Sequence, residues 1–333
     1  MTISILQLIL SVTTLFMFIG CGFMLKKLNF TNDGFAKALS LLVIYLAQIP
    51  LYVDGYIAHF DKTVFIGLVL MLVISFAAHA LFYVLARFLF RRSPEDIRRV
   101  LTFGVVFSNA GYMGLPLISD VLGSQFCIYA TVYLVGFNAF AYTVGRLIYT
   151  DDKSYVSVKK VFLNPVVIPI IIGIIIYLTG AGGWICDVTA VDEAGKLIRG
   201  DFIGNAFSII LNVMRSLKNI VAPASMIIVG VRLAEVNFRS AFRDRYLYYF
   251  LGVRLILFPV IVWALLRPFA GFGLISGELL AVTLIVSSTP TAAATSMFAE
   301  LYNSNGPYAG TLVSVSTLCS ILTMPLVALL LFI

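Results

Sequence analysis

The sequence is poor in charge. Asp, Glu, Lys and Arg make up 12% of its 333 residues, about half the share of an ordinary soluble domain. It has two histidines, His59 and His79, and four scattered cysteines with no Cys-x-x-Cys pair. That inventory holds no metal-ligand cluster and no disulfide framework. Cys21, Cys127 and Cys319 lie in apolar runs and read as small hydrophobes. No His, Asp or Ser–His grouping falls deep in an apolar run, so no enzyme and no cofactor are expected. Carboxylates approach the runs only near their ends, at Asp54, Asp120 and Glu300. A cation exchanger needs such groups at depth, so cation exchange is not the expected main function. No low-complexity linker is present.

What is abundant is apolar. Hydrophobic residues are 61% of the chain and the mean hydropathy is +1.02. At about 20 residues per crossing, this suffices for roughly ten membrane helices. It excludes a soluble enzyme, a disordered chain and a nucleic-acid binder, in spite of a pI near 9.2. Long unbroken apolar runs also argue against an outer-membrane barrel, whose strands alternate.

The runs predict ten spans, at 4–25, 35–54, 63–89, 97–122, 125–148, 163–180, 205–232, 246–268, 277–302 and 307–333. Lys26 and Lys27 follow the first run and no basic stretch precedes it, the reverse of a cleavable signal peptide. It is therefore read as a true helix. Alternation across ten spans sorts the 23 basic residues. Lys62, Lys196, Arg199, Arg215, Lys218 and Arg267 fall on one side. Arg254 lies inside a span, and all the others fall on the opposite side with loops 26–34, 90–96, 149–162 and 233–245. Basic loops stay cytoplasmic, so both termini are expected outside. The membrane would be a plasma membrane of the bacterial inner type. The connector 149–162 is read as a solvated link, with a lipid-touching basic helix as the other reading. The mixed-charge stretch 181–204 is read as a spacer.

Ten spans divide into five and five, residues 1–148 and 163–333. An odd number per half makes the halves inverted if they are repeats. The second span of each half carries an internal proline, Pro50 and Pro223. The fourth span of each is polar and interrupted: FSNAGYMGLPLI at 107–118 and VSSTPTAAATSMF at 286–298. Proline removes a helix hydrogen bond and clashes with the preceding turn. Interrupted spans in matching places are the best sequence pointer to a transporter binding site. Half-helix N-termini expose unpaired N–H groups and partial positive charge, which suits an anion without a buried lysine.

Four segments in order, FSNAGYMGLPL, LNPVVIPIIIGIIIY, APASMIIVGVRLAE and STPTAAATSMFAELYN, resemble the motif regions of the auxin efflux carrier family. That family includes PIN-FORMED exporters and bacterial malate or malonate permeases. The resemblance spans essentially the whole chain. It implies an all-α fold of ten transmembrane helices in two inverted five-helix repeats, like the bile acid symporter and sodium/proton antiporter folds. In it, helices 4 and 9 cross at their breaks beside the substrate. It implies a homodimer, each subunit with a scaffold and a moving transport domain. Helices 1, 2, 6 and 7 are expected to form the scaffold, and helices 3–5 and 8–10 the transport domain. Asn109, Gly114 and Pro116 match the first crossing motif, and Pro290 and Thr291 the second. Thr295 stands where plant members carry another proline.

The expected substrate site comprises Asn109, Gly111, Tyr112, Gly114, Pro116, Asn138, Ser287, Ser288, Thr289, Pro290, Thr291 and Thr295. Asn109 can donate to a carboxylate or cap a half-helix. Ser287, Ser288 and Thr289 can line the pocket or bond back to their own helix. Tyr112 and Asn138 face the cavity or serve packing. Lys218 and Arg254 are candidates for attracting an anion. Lys218 can also snorkel outward. Arg254 can snorkel to the surface, the ordinary behaviour of such a residue, or pair with a helix C-terminus. His79 reads as a hydrogen-bonded packing residue. The expected function is secondary transport of small organic anions, mono- or dicarboxylates such as malate, malonate or auxin-like acids. Sodium- or proton-coupled symport and a transport-inactive sensor are the alternatives. The expected partners are the substrate anion, the bilayer and a second subunit.

Overall fold

The computed structural model describes residues 5–32, 34–150, 162–191, 197–198, 201–236 and 238–332. Residues 151–161 of the connector, and Asp192, Glu193 and Lys196, lie outside them. The described residues form helices and no strand; two isolated bridges are the only β pairings among them.

The first half opens with α1 (Ile5–Lys27), then α2 (Phe35–Leu42) running through a π-helical turn at Val43–Ala47 into α3 (Gln48–Asp54). Pro50 lies one turn past the π segment. Its ring nitrogen cannot donate to the carbonyl four residues back, and the π turn lies beside the gap this leaves. The long α4 (Lys62–Leu89) starts at Asp61, whose carboxylate accepts from the N–H groups of Thr63 and Val64. Then come α5 (Glu95–Val106), a π turn at Ala110–Gly114 continuing into α6 (Leu115–Val121), and α7 (Cys127–Phe140), which passes through Ala141–Gly145 into α8 (Arg146–Thr150).

The second half has α9 (Val167–Leu178) and α10 (Ala181–Val188), bent 78° apart. The bend turns on Gly180, whose φ of 75° lies in the left-handed region that glycine adopts freely. The stretch expected as a spacer from residue 181 thus begins as a helix. Next are α11 (Phe202–Lys218) and α12 (Val221–Leu233), the short α13 (Phe238–Ala241), and α14 (Arg245–Gly252), which continues through a π turn at Val253–Leu257 into α15 (Phe258–Gly271). The chain finishes with α16 (Gly277–Ser288), α17 (Ala294–Leu301) and α18 (Gly306–Ala328).

Among the described residues, seven helical stretches are long and apolar enough to cross a membrane, and eight if the bent pair α9–α10 counts as one span. Ten continuous spans are therefore not observed. The two segments expected at 97–122 and 277–302 fall short because each is broken in the middle, at 107–109 and at 289–293. Large apolar side chains such as Met17, Phe88, Leu265 and Leu322 point outward, as a lipid-facing surface requires.

Helix α1 packs along α12, and α3 packs on α9 and α11. Close approach of α1 and α12 depends on two glycines. A Cβ on Gly22 would lie 2.1 Å from the Ile227 carbonyl oxygen, and one on Gly230 would lie 2.0 Å from that of Ile19. Small residues at such contacts let backbones meet where lipid offers no hydrophobic drive. Helix α4 packs on α5 and α7, α15 on α16, and α17 on α18. Phe82 of α4 stacks on Phe258 of α15 at 4.1 Å between ring centres.

Candidate functional site

Both helix breaks put short extended segments in the interior, and the two segments meet. Ser108 and Thr291 form an antiparallel bridge. The Asn109 N–H donates to the Pro290 carbonyl at 2.8 Å, and the Ala292 N–H donates to the Phe107 carbonyl at 2.9 Å. Pro290 can donate nothing itself, but its carbonyl is one of the two that tie the breaks together. Each break therefore satisfies backbone groups that the other has lost, as buried backbone must be.

Thr291 extends this exchange. Its hydroxyl donates to the Gly104 carbonyl near the end of α5, lies 3.4 Å from the Phe107 carbonyl, and is 3.2 Å from the Thr295 hydroxyl. Its N–H donates to Ser316 Oγ of α18 at 3.3 Å. Thr295, where the resemblance leads one to expect proline, is fully buried. Its carbonyl accepts from the Tyr149 hydroxyl at 3.3 Å. A hydroxyl at 295 thus supports Thr291 in a way proline would not.

The expected residues divide by what they touch. Asn109 is buried, and its side chain does not cap the half-helix that begins at Ala110. The amide is left for other use. Gly114 faces the second break: a Cβ there would lie 3.4 Å from Val286 and 3.6 Å from Thr289. Pro116 follows the π turn within the half-helix that begins at Ala110, where it has no N–H to give the preceding turn. Gly111 packs near Leu134 and the Tyr52 hydroxyl. Ser287, Ser288 and Thr289 donate to the carbonyls of Leu284, Ile285 and Val286 at 2.8–2.9 Å. Their hydroxyl protons serve their own helix, and their oxygens remain as acceptors.

Asn138 is placed in a separate network. Its Nδ2 donates to the Leu134 carbonyl at 2.7 Å, and its Oδ1 accepts from Asn164 at 3.3 Å. Asn164 in turn accepts from the Val166 N–H at 2.7 Å, fixing the start of α9. Tyr112 lies near Tyr52 and Tyr142 on this side of the break.

Lys218 is not at the crossing. It sits at the end of α11, where its ammonium pairs with Asp54 of α3, and Arg215 Nε reaches the same carboxylate at 3.3 Å. Its charge is answered within the protein.

Arg254 does not snorkel. It is fully buried, 0% exposed, in the π turn between α14 and α15. Its Nη2 donates to the carbonyls of Ser287 at 2.9 Å and Thr289 at 2.7 Å. These oxygens end α16 at the second break. The guanidinium thus caps a helix C-terminus, the favourable end for a cation.

His79 packs among Phe107, Tyr133, Phe137 and Phe140, with ring centres 5.1–5.9 Å away. Its Nδ1 is 2.7 Å from the Ser75 carbonyl. The packing role expected for it matches this setting. Sequence reasoning missed Ser316 and Tyr149. Ser316 belongs to a run of hydroxyls in the last helix, Ser314, Ser316, Thr317 and Ser320, all buried. That run was the available signal. Tyr149, at the end of a span, carried none.

A helical membrane protein whose two broken helices bond to each other in the interior has the general form of a transporter. The family described as membrane transport protein matches residues 7–160 and 153–328. The chain belongs to this family, that of the auxin efflux carriers and their PIN-like relatives. It is a family of transporters and not of enzymes. No curated protein matches the chain significantly.

Proposed function

We propose that this membrane transporter moves small organic anions, mono- or dicarboxylates, by elevator-type alternating access around the crossing of its two broken segments. The observation that carries the reading is the reciprocal pairing of 107–109 with 290–292. Such pairing brings the helical segments that begin at Ala110 and Ala294 toward one place. The first N–H groups of each have no partner within the helix, and the adjoining dipole ends favour negative charge. Asn109 supplies an uncommitted amide beside them.

In this reading the chain makes ten crossings as two inverted five-helix repeats. The packing of α1 and α2 on α12, and of α3 on α9 and α11, supports assigning these helices to a scaffold. Helices α4–α8 and α14–α18 would form the moving domain, with α2 and α10 in the scaffold beside α3 and α9, and two subunits would join through their scaffolds. Basic loops would face the cytoplasm, with both termini outside.

The test is Asn109→Ala in the full-length protein, purified and reconstituted in proteoliposomes. A thermal-shift screen against a panel of organic acids first identifies anions that stabilise the wild type, by mass action. Asn109→Ala is expected to keep the wild-type melting behaviour without ligand and to lose most of the ligand shift and most of the uptake. Unchanged uptake would sink the site assignment.

A further inference from the structure

Arg254 presents an unusual balance of charge. Arginine stays protonated in proteins and carries five N–H donors. Two carbonyls, those of Ser287 and Thr289, take up Nη2. The other two nitrogens, Nε and Nη1, are buried with no acceptor. Among the described residues every ion pair lies elsewhere: at Lys26, His59, Arg98, Arg99, Arg215, Lys218 and Arg232. No carboxylate therefore answers the guanidinium. A buried charge without a partner is costly, and the partial negative charge of one helix end is about half an elementary charge.

The place of this cation is informative. In transporters built on broken helices, carbonyls freed by unwinding and half-helix C-terminal ends commonly coordinate a coupling cation. Here the carbonyls at the end of α16 are occupied by the protein's own guanidinium. Its Thr289 acceptor adjoins Pro290, whose carbonyl holds the Asn109 N–H. The fixed charge is thus two peptide units from the first break.

We propose that Arg254 is a resident counter-ion of the crossing: its guanidinium occupies the carbonyl end of α16 in place of a coupling cation, and Nε and Nη1 form the charge partner of a bound carboxylate. This rests on the organic-anion reading above and deepens it. A monocarboxylate would complete the site's charge with no cation bound beside it. Transport would then be independent of sodium. A dicarboxylate would leave one negative charge over, so the site would prefer a monoanion.

Full-length protein in proteoliposomes tests this with labelled malonate and labelled indole-3-acetate as probes. Uptake is measured with sodium, potassium or N-methyl-D-glucamine as the sole external cation, and thermal shifts report binding of the same two acids. For the wild type, binding and uptake should agree across the three cations within about twofold, since no coupling ion contributes to affinity by mass action. Arg254→Gln should weaken binding by about tenfold or more, the range of a charge-assisted hydrogen bond. Arg254→Lys keeps the charge but loses the fork. It should bind with intermediate affinity and remain independent of sodium. A merely structural role would lower stability in both variants and leave the ligand-induced shift intact. Uptake stimulated severalfold by sodium in the wild type overturns the proposal, even if Arg254→Gln does not fold. So does wild-type affinity in Arg254→Gln. If neither acid binds the wild type under any cation, the organic-anion reading falls for these probes and the counter-ion role falls with it.

Discussion

Replacing Thr291 by valine isolates the hydroxyl that joins the two breaks. Valine keeps the branched shape and nearly the volume, so packing around the fully buried side chain is preserved. What disappears is the donor to the Gly104 carbonyl and the contact with the Thr295 hydroxyl. The Phe107 carbonyl is protected, because it also accepts from the Ala292 N–H at 2.9 Å. The Gly104 carbonyl is not, for α5 ends at Val106 and the Phe107 N–H is directed to Phe103. One buried acceptor is thus orphaned, at about 1–3 kcal/mol. Even the lower bound changes the folded-to-unfolded ratio about fivefold. The assay is a reversible denaturation titration in mixed detergent micelles, with Thr291→Ser as the control that keeps the hydroxyl. Valine should shift the midpoint to lower denaturant and serine much less. Uptake in proteoliposomes should fall with valine, since the breaks are less firmly joined. A valine variant as stable and as active as the wild type would refute the role of this hydroxyl in holding the crossing together.

Two further substitutions probe the frame around it. Gly230→Ala places a methyl 2.0 Å from the Ile19 carbonyl oxygen, and Gly22→Ala one 2.1 Å from that of Ile227. Backbone cannot yield as a side chain tip can, so each should force α1 from α12 and cost about 1–3 kcal/mol or more, read in the same titration. An unshifted midpoint in either would mean that the contact is looser than the distances imply. Asp54→Asn strips Lys218 of its partner where the two side chains are 12% and 19% exposed. The expected loss is about 1–3 kcal/mol, between the exposed and fully buried cases. Adding Lys218→Met should restore much of it; a double variant no better than the single would show that the pair is not the cause.

The sequence exposed the membrane helices because lipid imposes one composition on every face that meets it. It exposed the two breaks for the opposite reason. Asn109, Pro116, Pro290 and the Ser–Thr run at 287–289 are out of place in an apolar span, and each marks backbone that cannot follow a helix. Partner choice was hidden. Nothing near Thr291 in the chain signals a carbonyl 187 residues earlier, and Arg254 finds acceptors 33 and 35 residues away. Hydropathy reads each segment against solvent, while these bonds depend on which segment lies opposite. The same limit explains the bend at Gly180 and the helix α10 beyond it. A glycine-rich stretch that leads into charged residues looks like a loop until its neighbours give it a face to pack on.

The carbonyls at the two breaks are satisfied by different chemistry. Carbonyls ending α5 receive a neutral hydroxyl and an amide from the second break. Carbonyls ending α16 receive a guanidinium from the π turn before α15. Separating the breaks would therefore orphan several buried backbone groups at once, each at about 1–3 kcal/mol. Withdrawing Arg254 would strand a charge as well. Moving the crossing intact avoids that cost in every transport cycle. The stacking of Phe82 on Phe258 joins α4 to α15 in the same body. In the proposed cycle, then, the crossing cannot open by parting its two broken segments. It has to travel whole, with Arg254 and its charge inside it, past helices that, among the described residues, contribute no hydrogen bond to the joined breaks.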